Sequence, residues 1–302
     1  MTGSMAGEND AGEVGTGEPF DFYGPSDPLV PVLISVPHAG RFYPDSEKFR
    51  SAVPFSVLSK LEDRHADALV TDLIAQGYGV IVSRIARAVI DLNRDPRDID
   101  RRIIAGLPHS HAIIETAKSR GGLGLFPRSL PRIGALWCHS LPWTEAQSRI
   151  ASIHAPYHAS LEREMKRIRD THGEALLLDV HSMPPLDRER FSASQRPDVV
   201  IGDRFGASAS PRFAEIARSV IARYGLVAAV NHPYPGSYIA ERHGRPGAGR
   251  HALQIEISRD LYLDERLDAP GAGLNAMRAM LCDIVATLTE ELRGRGMPVA
   301  AE

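Results

Sequence analysis

The segment Ala175-Leu176-Leu177-Leu178-Asp179-Val180-His181-Ser182 decides the fold. Residues 175–180 form the near-continuous apolar run of a strand buried on both faces, which belongs to a sheet carrying helices on each side. The run then stops on Asp-x-His-Ser, chemistry that packing alone does not require. Two further apolar runs end in the same way. Residues 31–36 lead into Pro37-His38-Ala39-Gly40, and residues 88–92 lead into Asn93-Arg94 just after Asp91. In an open α/β sheet the groove outside the strand ends is where ligands bind, so three polar strand ends predict one shared site.

Working outward, residues 79–85, 198–202, 226–230 and 252–257 also read as strands. Helical spacing of apolar residues predicts helices over 54–76, 144–172, 211–224 and 275–293. The alternation predicts a three-layer α/β/α architecture with a central mixed, mostly parallel sheet. Residues 1–18, rich in Gly, Glu, Asp and Thr, are expected to be a disordered tail. Residues 19–302 are expected to form a single domain. Periodicity fails over 95–142, a long excursion expected to flank or cover the groove as a lid or insertion.

The 302 residues are 43% hydrophobic and 24% charged, as in an ordinary soluble globular chain. A net charge of −3 with scattered arginines offers no field to gather nucleic acid. No apolar stretch is long enough for a membrane span or signal peptide, so neither membrane nor nucleic acid is expected as a partner and the chain is expected in the cytoplasm. Cys138 and Cys282 lie outside any C-x-x-C pattern, which fits a reducing compartment. Self-association into a homo-oligomer is left open.

Metal ligation draws on the strand ends. A hydrolytic zinc site needs three nitrogen, sulfur or carboxylate ligands and an open position for water. His38 and His181 both occupy strand ends. A third ligand is sought in Glu62-Asp63-Arg64-His65-Ala66-Asp67, where a solvated charged face is the competing account. If this stretch is helical, Asp63 and Asp67 share a face and His65 points about 200° away from Asp63. Asp179 lies on the same side of its strand as His181 and either orients that histidine or serves a structural role. Asp91-Leu92-Asn93-Arg94 suits carboxylate recognition, with Arg87 beside it, against the alternative of surface ion pairing. Glu256, an acid in the apolar run Leu253-Gln254-Ile255-Glu256-Ile257, has the character of a general base, or else is a buried ion-pair partner of Arg259 or another arginine. Asn231 and the Gly-punctuated stretch 236–244, with Tyr238 and Arg242, read as a loop that closes over substrate.

Taken in order, Pro37-His38-Ala39-Gly40, Asp63-x-His65-x-Asp67, Arg87 with Asp91-Leu92-Asn93-Arg94, Asp179-x-His181-Ser182, Gly236-Ser237-Tyr238-Ile239 and Gln254-Ile255-Glu256 closely resemble the N-formylglutamate amidohydrolase family, over about residues 29–265. That family is similar in turn to zinc exopeptidases and aspartoacylase. The resemblance implies a zinc-dependent, exopeptidase-like fold and hydrolysis of the amide of a small N-acyl amino acid, N-formyl-L-glutamate first, within histidine degradation. It also implies His38, Asp63 and His181 as Zn2+ ligands, with Glu62 and Asp67 as substitutes for Asp63. Glu256 becomes the general base, Arg87 the oxyanion stabiliser, and Asn93 and Arg94 the clamp on the α-carboxylate. Tyr238 and Arg242 become candidates for the distal carboxylate. Arg41 stands where the related peptidases carry a glutamate ligand. The alternatives are a deacylase for another N-acyl amino acid or small N-formyl amide, a zinc carboxypeptidase, and a non-catalytic binding protein on the same fold.

Overall fold

A computed structural model of the chain describes residues 18–187 and 196–295. The expected tail, but for Glu18, lies outside the described residues. Seven strands form the central sheet: β1 (Phe20–Tyr23), β2 (Val32–Val36), β3 (Gly79–Ser83), β4 (Ala175–Met183), β5 (Val199–Gly202), β6 (Ala228–Val230) and β7 (Arg250–Ser258). Their order is β1-β3-β2-β4-β7-β5-β6. The central four, β3, β2, β4 and β7, run parallel; β1 is antiparallel to β3, and β5 is antiparallel to β7 while pairing parallel to β6. The sheet is therefore mixed and mostly parallel, as its apolar runs predicted.

Alternation along the strands sorts the two faces. Val32, Ile34 and Val36 of β2, Leu176, Leu178 and Val180 of β4, and Leu253, Ile255 and Ile257 of β7 share one core. Helices α2 (Pro211–Arg223) and α4 (Leu274–Arg295) and the turn Ala66–Leu69 close that side. Leu33, Ala175, Leu177 and Ala252 face the other way, against α1 (Ala155–His172) and α3 (Tyr238–His243). A third apolar group, with Leu58, Val89, Ile90, Ile99, Leu125, Phe126 and Trp137 buried, packs the excursion 95–142. Among the described residues no helix is long and apolar enough to cross a membrane.

Two expected elements are not formed. The helix over 54–76 is broken into Phe55–Leu58, Ser59–Leu61, Ala66–Leu69 and Thr71–Ala75. Glu62 is extended and His65 left-handed (φ 56°), so the i, i+4 argument relating Asp63 to Asp67 does not apply. Buried bonds hold the break open. Tyr43 Oη and Arg64 Nη1 donate to the Glu62 carboxylate at 2.7 and 3.0 Å, and the Asp63 amide donates to the His38 carbonyl at 2.9 Å. Residues 88–92 form no strand: the Val89 amide turns back onto the Ala86 carbonyl, and the apolar side chains divide between two cores. Conversely, β1 is a strand with no expectation behind it. The helix expected over 144–172 is present, with a wider π turn at Ile150–His154 before α1.

Candidate metal centre

The register of β2, β4 and β7 lays a polar row across one sheet face. Ser35 is opposite Asp179, Asp179 opposite Gln254, and His181 opposite Glu256. All five residues share the parity of Leu33, Leu177 and Ala252, so they lie on the α1 side, beyond the apolar packing. His38 joins them from the loop after β2. Gly40 lets that loop press onto the chain at residues 84–85, since a Cβ at Gly40 would sit 2.2 Å from the Ile85 carbonyl oxygen. The break before Ala66 turns Asp63 into the same space.

His38, Asp63 and His181 converge, one ligand atom of each lying within 4.8 Å of the others. All three residues are buried. Each outer atom is already committed: His38 Nε2 lies 2.8 Å from Asp91 Oδ1, His181 Nε2 2.8 Å from Asp179 Oδ2, and Arg259 Nη2 donates to Asp63 Oδ1 at 3.0 Å. The inner atoms remain. His38 Nδ1 and His181 Nδ1 lie 3.5 and 3.1 Å from Asp63 Oδ2, and His38 Nδ1 is buried with no hydrogen-bond partner. Imidazoles backed by carboxylates, with their inner nitrogens turned to a third donor, form a cradle suited to a cation. This group could bind a metal ion.

The electrostatics agree with that geometry. Burial raises the cost of ionising Asp63, but its two histidine partners outweigh it and hold the carboxyl well below its usual range. Asp91 is held low against the same burial penalty by Arg87, His38 and Arg94. Burial disfavours charge on His181, yet Asp179 and Asp63 raise its pKa well above normal. A bound cation would compete with protons for these same inner atoms. Glu256 goes the other way: burial, reinforced by Asp63 and Asp179, pushes it up to about 7 although His181 and Arg87 oppose the shift. Gln254 Nε2 donates to Glu256 Oε1 at 2.8 Å.

A cavity of about 380 Å3 opens over the cluster, lined by His38, His181, Glu256, Arg87, Arg94 and Lys118 among others. Arg87 is anchored to Asp91 through Nε at 2.9 Å. Arg94 Nε donates to the Leu123 carbonyl at 3.0 Å. Asn93 lines the cavity with its amide already engaged. Its Oδ1 accepts from the Ile239 amide at 2.8 Å, and Nδ2 donates to Gln254 Oε1 at 3.3 Å. With His181 Nε2 donating to Asp179, the 3.2 Å approach of Asn93 Nδ2 to that nitrogen is a contact, not a second hydrogen bond.

The remaining expected site residues lie elsewhere. Tyr238 and Arg242 are not in this lining; both stand in helix α3, not in a loop, where Arg242 Nη1 donates to Tyr238 Oη at 2.7 Å. Asn231 is also outside it, tied to Asp203 by a 2.6 Å bond from Nδ2. Of the substitute ligands, Glu62 is taken by Tyr43 and Arg64, and Asp67 faces Arg41 in a two-pronged pair at 3.0 and 2.6 Å. Arg259, the alternative partner of Glu256, instead binds Asp63, with Ser182 Oγ accepting from its Nε at 3.1 Å. Sequence reasoning missed Lys118, Leu123 and Tyr234, which enter the lining from stretches without periodicity. Leu123 and Lys118 come from the excursion 95–142. A larger cavity of about 750 Å3, lined by Glu18, Tyr23, Arg41, Asp67 and Arg84 among others, has both of its arginines already paired, Arg41 with Asp67 and Arg84 with Asp21.

A mixed α/β sheet with a metal-capable His-Asp-His group and a raised carboxylate at adjoining strand ends defines an enzyme of the hydrolase class. The family is specific: residues 30–263 match the model of the N-formylglutamate amidohydrolase family, and the chain belongs to it. It is an amidohydrolase. N-formylglutamate deformylase of Pseudomonas putida is 31% identical over 239 residues, 78% of this chain and 83% of that protein. A second N-formylglutamate deformylase, from Pseudomonas aeruginosa, is 28% identical over 87% of this chain and 91% of its own length. The crystal structure of N-formylglutamate amidohydrolase from Ralstonia eutropha superposes with a TM-score of 0.84 at 30% identity, covering 92% of this chain and 99% of that one.

Proposed function

We propose that the chain hydrolyses N-formyl-L-glutamate to L-glutamate and formate with the help of a zinc ion held by His38 Nδ1, His181 Nδ1 and Asp63 Oδ2. One observation carries this reading: the inner atoms of these three residues face one another beside Glu256, beneath a cavity rimmed by Arg87, Arg94 and Lys118. Two imidazoles and a carboxylate suit zinc and leave a coordination position open. When bound, zinc supplies Lewis acidity, polarising the formyl carbonyl and acidifying water.

The other steps belong to the chain. Glu256 takes the proton of the attacking water and delivers it to the leaving amine nitrogen; with Oε1 held by Gln254, Oε2 is the oxygen for this task. Its raised pKa, about 7, matches a group that must both accept and return a proton near neutrality. Arg87, fixed through Nε by Asp91, turns its remaining donors toward the developing oxyanion. Arg94 holds the α-carboxylate, and Asn93 acts through position, tying the loop after Asp91 to Gln254 and Ile239. The reaction is placed in the cytoplasm, in amino-acid breakdown.

The test is formate release from N-formyl-L-glutamate by purified protein of measured zinc content, before and after chelation and after zinc restoration. Release that follows the zinc is the expected result. Zinc binding without formate release would refute the reading; cleavage of peptides instead would point to a carboxypeptidase, and turnover of neither to a binding protein.

A further inference from the structure

We propose that Lys118 is the specificity-determining residue of this site, its ammonium receiving the distal carboxylate of a dicarboxylic N-acyl amino acid. The inference rests on the deformylase reading and deepens it. A substrate with two carboxylates needs two cationic anchors, and the residues expected for the second, Tyr238 and Arg242, are outside the cavity lining.

Lys118 is inside it, brought by the excursion 95–142 on the short helical turn Ala117–Arg120. The turn is held in place from both ends. Thr116 Oγ1 accepts from the Lys118 and Ser119 amides at 3.1 and 3.2 Å and donates to buried Asp98 at 3.0 Å. On the far side the Lys118 carbonyl accepts from the Leu123 amide at 2.8 Å, and the Leu123 carbonyl accepts from Arg94 Nε at 3.0 Å. One residue, Leu123, thus fastens Lys118 to Arg94, the anchor assigned to the α-carboxylate.

The charges around Lys118 are unbalanced toward an anion. Arg87 has Asp91 and Arg259 has Asp63, but among the described residues neither lysine of the lining, Lys118 or Lys60, has a carboxylate at ion-pair distance, and of the two only Lys118 is fastened to Arg94 through Leu123. Lys118 is solvent-exposed; partial desolvation by its surroundings, then Arg94 and Arg87, hold its pKa below the usual lysine range, with Asp91 and Glu256 acting only as smaller opposing influences. A cation placed among cations at a cavity wall is stabilised by a ligand carboxylate.

The test compares N-formyl-L-glutamate with its neutral isostere N-formyl-L-glutamine in wild type, Lys118→Met and Lys118→Arg, with zinc content checked in each. Wild type is expected to favour the glutamate substrate in kcat/KM by about 10- to 100-fold, the scale of one charge-assisted bond. Lys118→Met should raise KM for the glutamate substrate by that factor, with kcat nearly unchanged and KM for the glutamine substrate unmoved. Lys118→Arg should recover most of the loss. Equal losses on both substrates, or none on either, would overturn the assignment while leaving the deformylase reading intact. Absence of formate release by wild type would overturn both, and is seen before any substitution is made. A wild type indifferent to the distal charge overturns the Lys118 assignment even if the variants fail to fold.

Discussion

Replacing Asp179 by Asn tests the metal centre at its support while leaving the three inner donor atoms in place. Asp179 is fully buried and accepts two bonds, from Ser35 Oγ at 2.8 Å through Oδ1 and from His181 Nε2 at 2.8 Å through Oδ2. Asn has nearly the same shape and keeps one acceptor. With its Oδ1 toward His181, its amide donates to Ser35 Oγ, which can turn its own proton toward Tyr157 Oη 2.9 Å away. The bond to His181 survives this exchange, while one buried hydroxyl proton, that of Tyr157, loses Ser35 Oγ as its acceptor. The negative charge against the imidazole does not survive, and that charge is what makes Nδ1 a stronger electron donor.

Losing such a support costs metal affinity about 10- to 100-fold, or about 1.4–2.7 kcal/mol. Competition with a chromophoric chelator at fixed pH measures the zinc dissociation constant directly. Asp179→Ala should cost more than Asp179→Asn, because it also strands Ser35 and the His181 N–H in a buried space. Zinc affinity within twofold of wild type in Asp179→Asn would refute the argument that His181 binds through Nδ1 with Nε2 held by Asp179. The fold should be unchanged by circular dichroism in either case.

Glu256→Gln should keep zinc and lower kcat by about 10²- to 10⁴-fold, the usual contribution of a positioned base; turnover at wild-type level would remove Glu256 from the chemistry. The same variant reads its titration in metal-free protein. Because Glu256 is raised from 4.5 to about 7, the stabilisation from its bound proton is fully present below about pH 4.5 and is lost as pH rises through about 7. Wild-type stability minus that of Glu256→Gln should therefore fall by roughly 3 kcal/mol across that window, and a difference that does not change with pH contradicts the assigned shift. Gly40→Ala should destabilise the chain by at least about 2 kcal/mol, since its Cβ would meet a backbone oxygen at 2.2 Å and the loop carrying His38 must move. Weaker zinc binding should accompany the lower Tm, and a variant as stable as wild type would show that the loop gives way freely.

Much of this site was legible because it sits where strand chemistry breaks its own rule. His181 and Glu256 are polar residues at core parity in β4 and β7, and His38 follows an apolar run at a Pro-x-x-Gly turn, so each stands out against its neighbours. The helix over 54–76 misled because helical turns on either side of Asp63 keep apolar spacing while serving different cores, Leu58 and Leu61 one and Leu69 and Leu73 another. Periodicity does not register that the chain between them is extended. Strand β1 was invisible for the opposite reason: it is a four-residue edge with Phe22 and Tyr23 exposed, too short for a pattern. Lys118 and Tyr234 reach the cavity through tertiary packing of loops, a relation that no local spacing encodes.

The row Ser35, Asp179, Gln254 and the pair His181, Glu256 also explains why the centre is held together by side-chain bonds and not by the sheet alone. A sheet face fixes the parity of a side chain but leaves its rotamer free, and each of these groups is costly to bury unpaired. The chain resolves both problems with one network. Ser35 ties Tyr157 of α1 to Asp179, Asp179 fixes His181, and Gln254 bridges Glu256, Asn93 and the Ser237 amide. Gln254 thereby links Glu256 of β7 to the loop after Asp91 and to the stretch leading into α3. Displacing any of these elements would leave a buried donor or acceptor without a partner elsewhere in the row, so the positions of Glu256, His38, Asp63 and His181 are correlated. The open end of the network is His38 Nδ1, the buried acceptor that folding leaves unmatched and that a bound cation would complete.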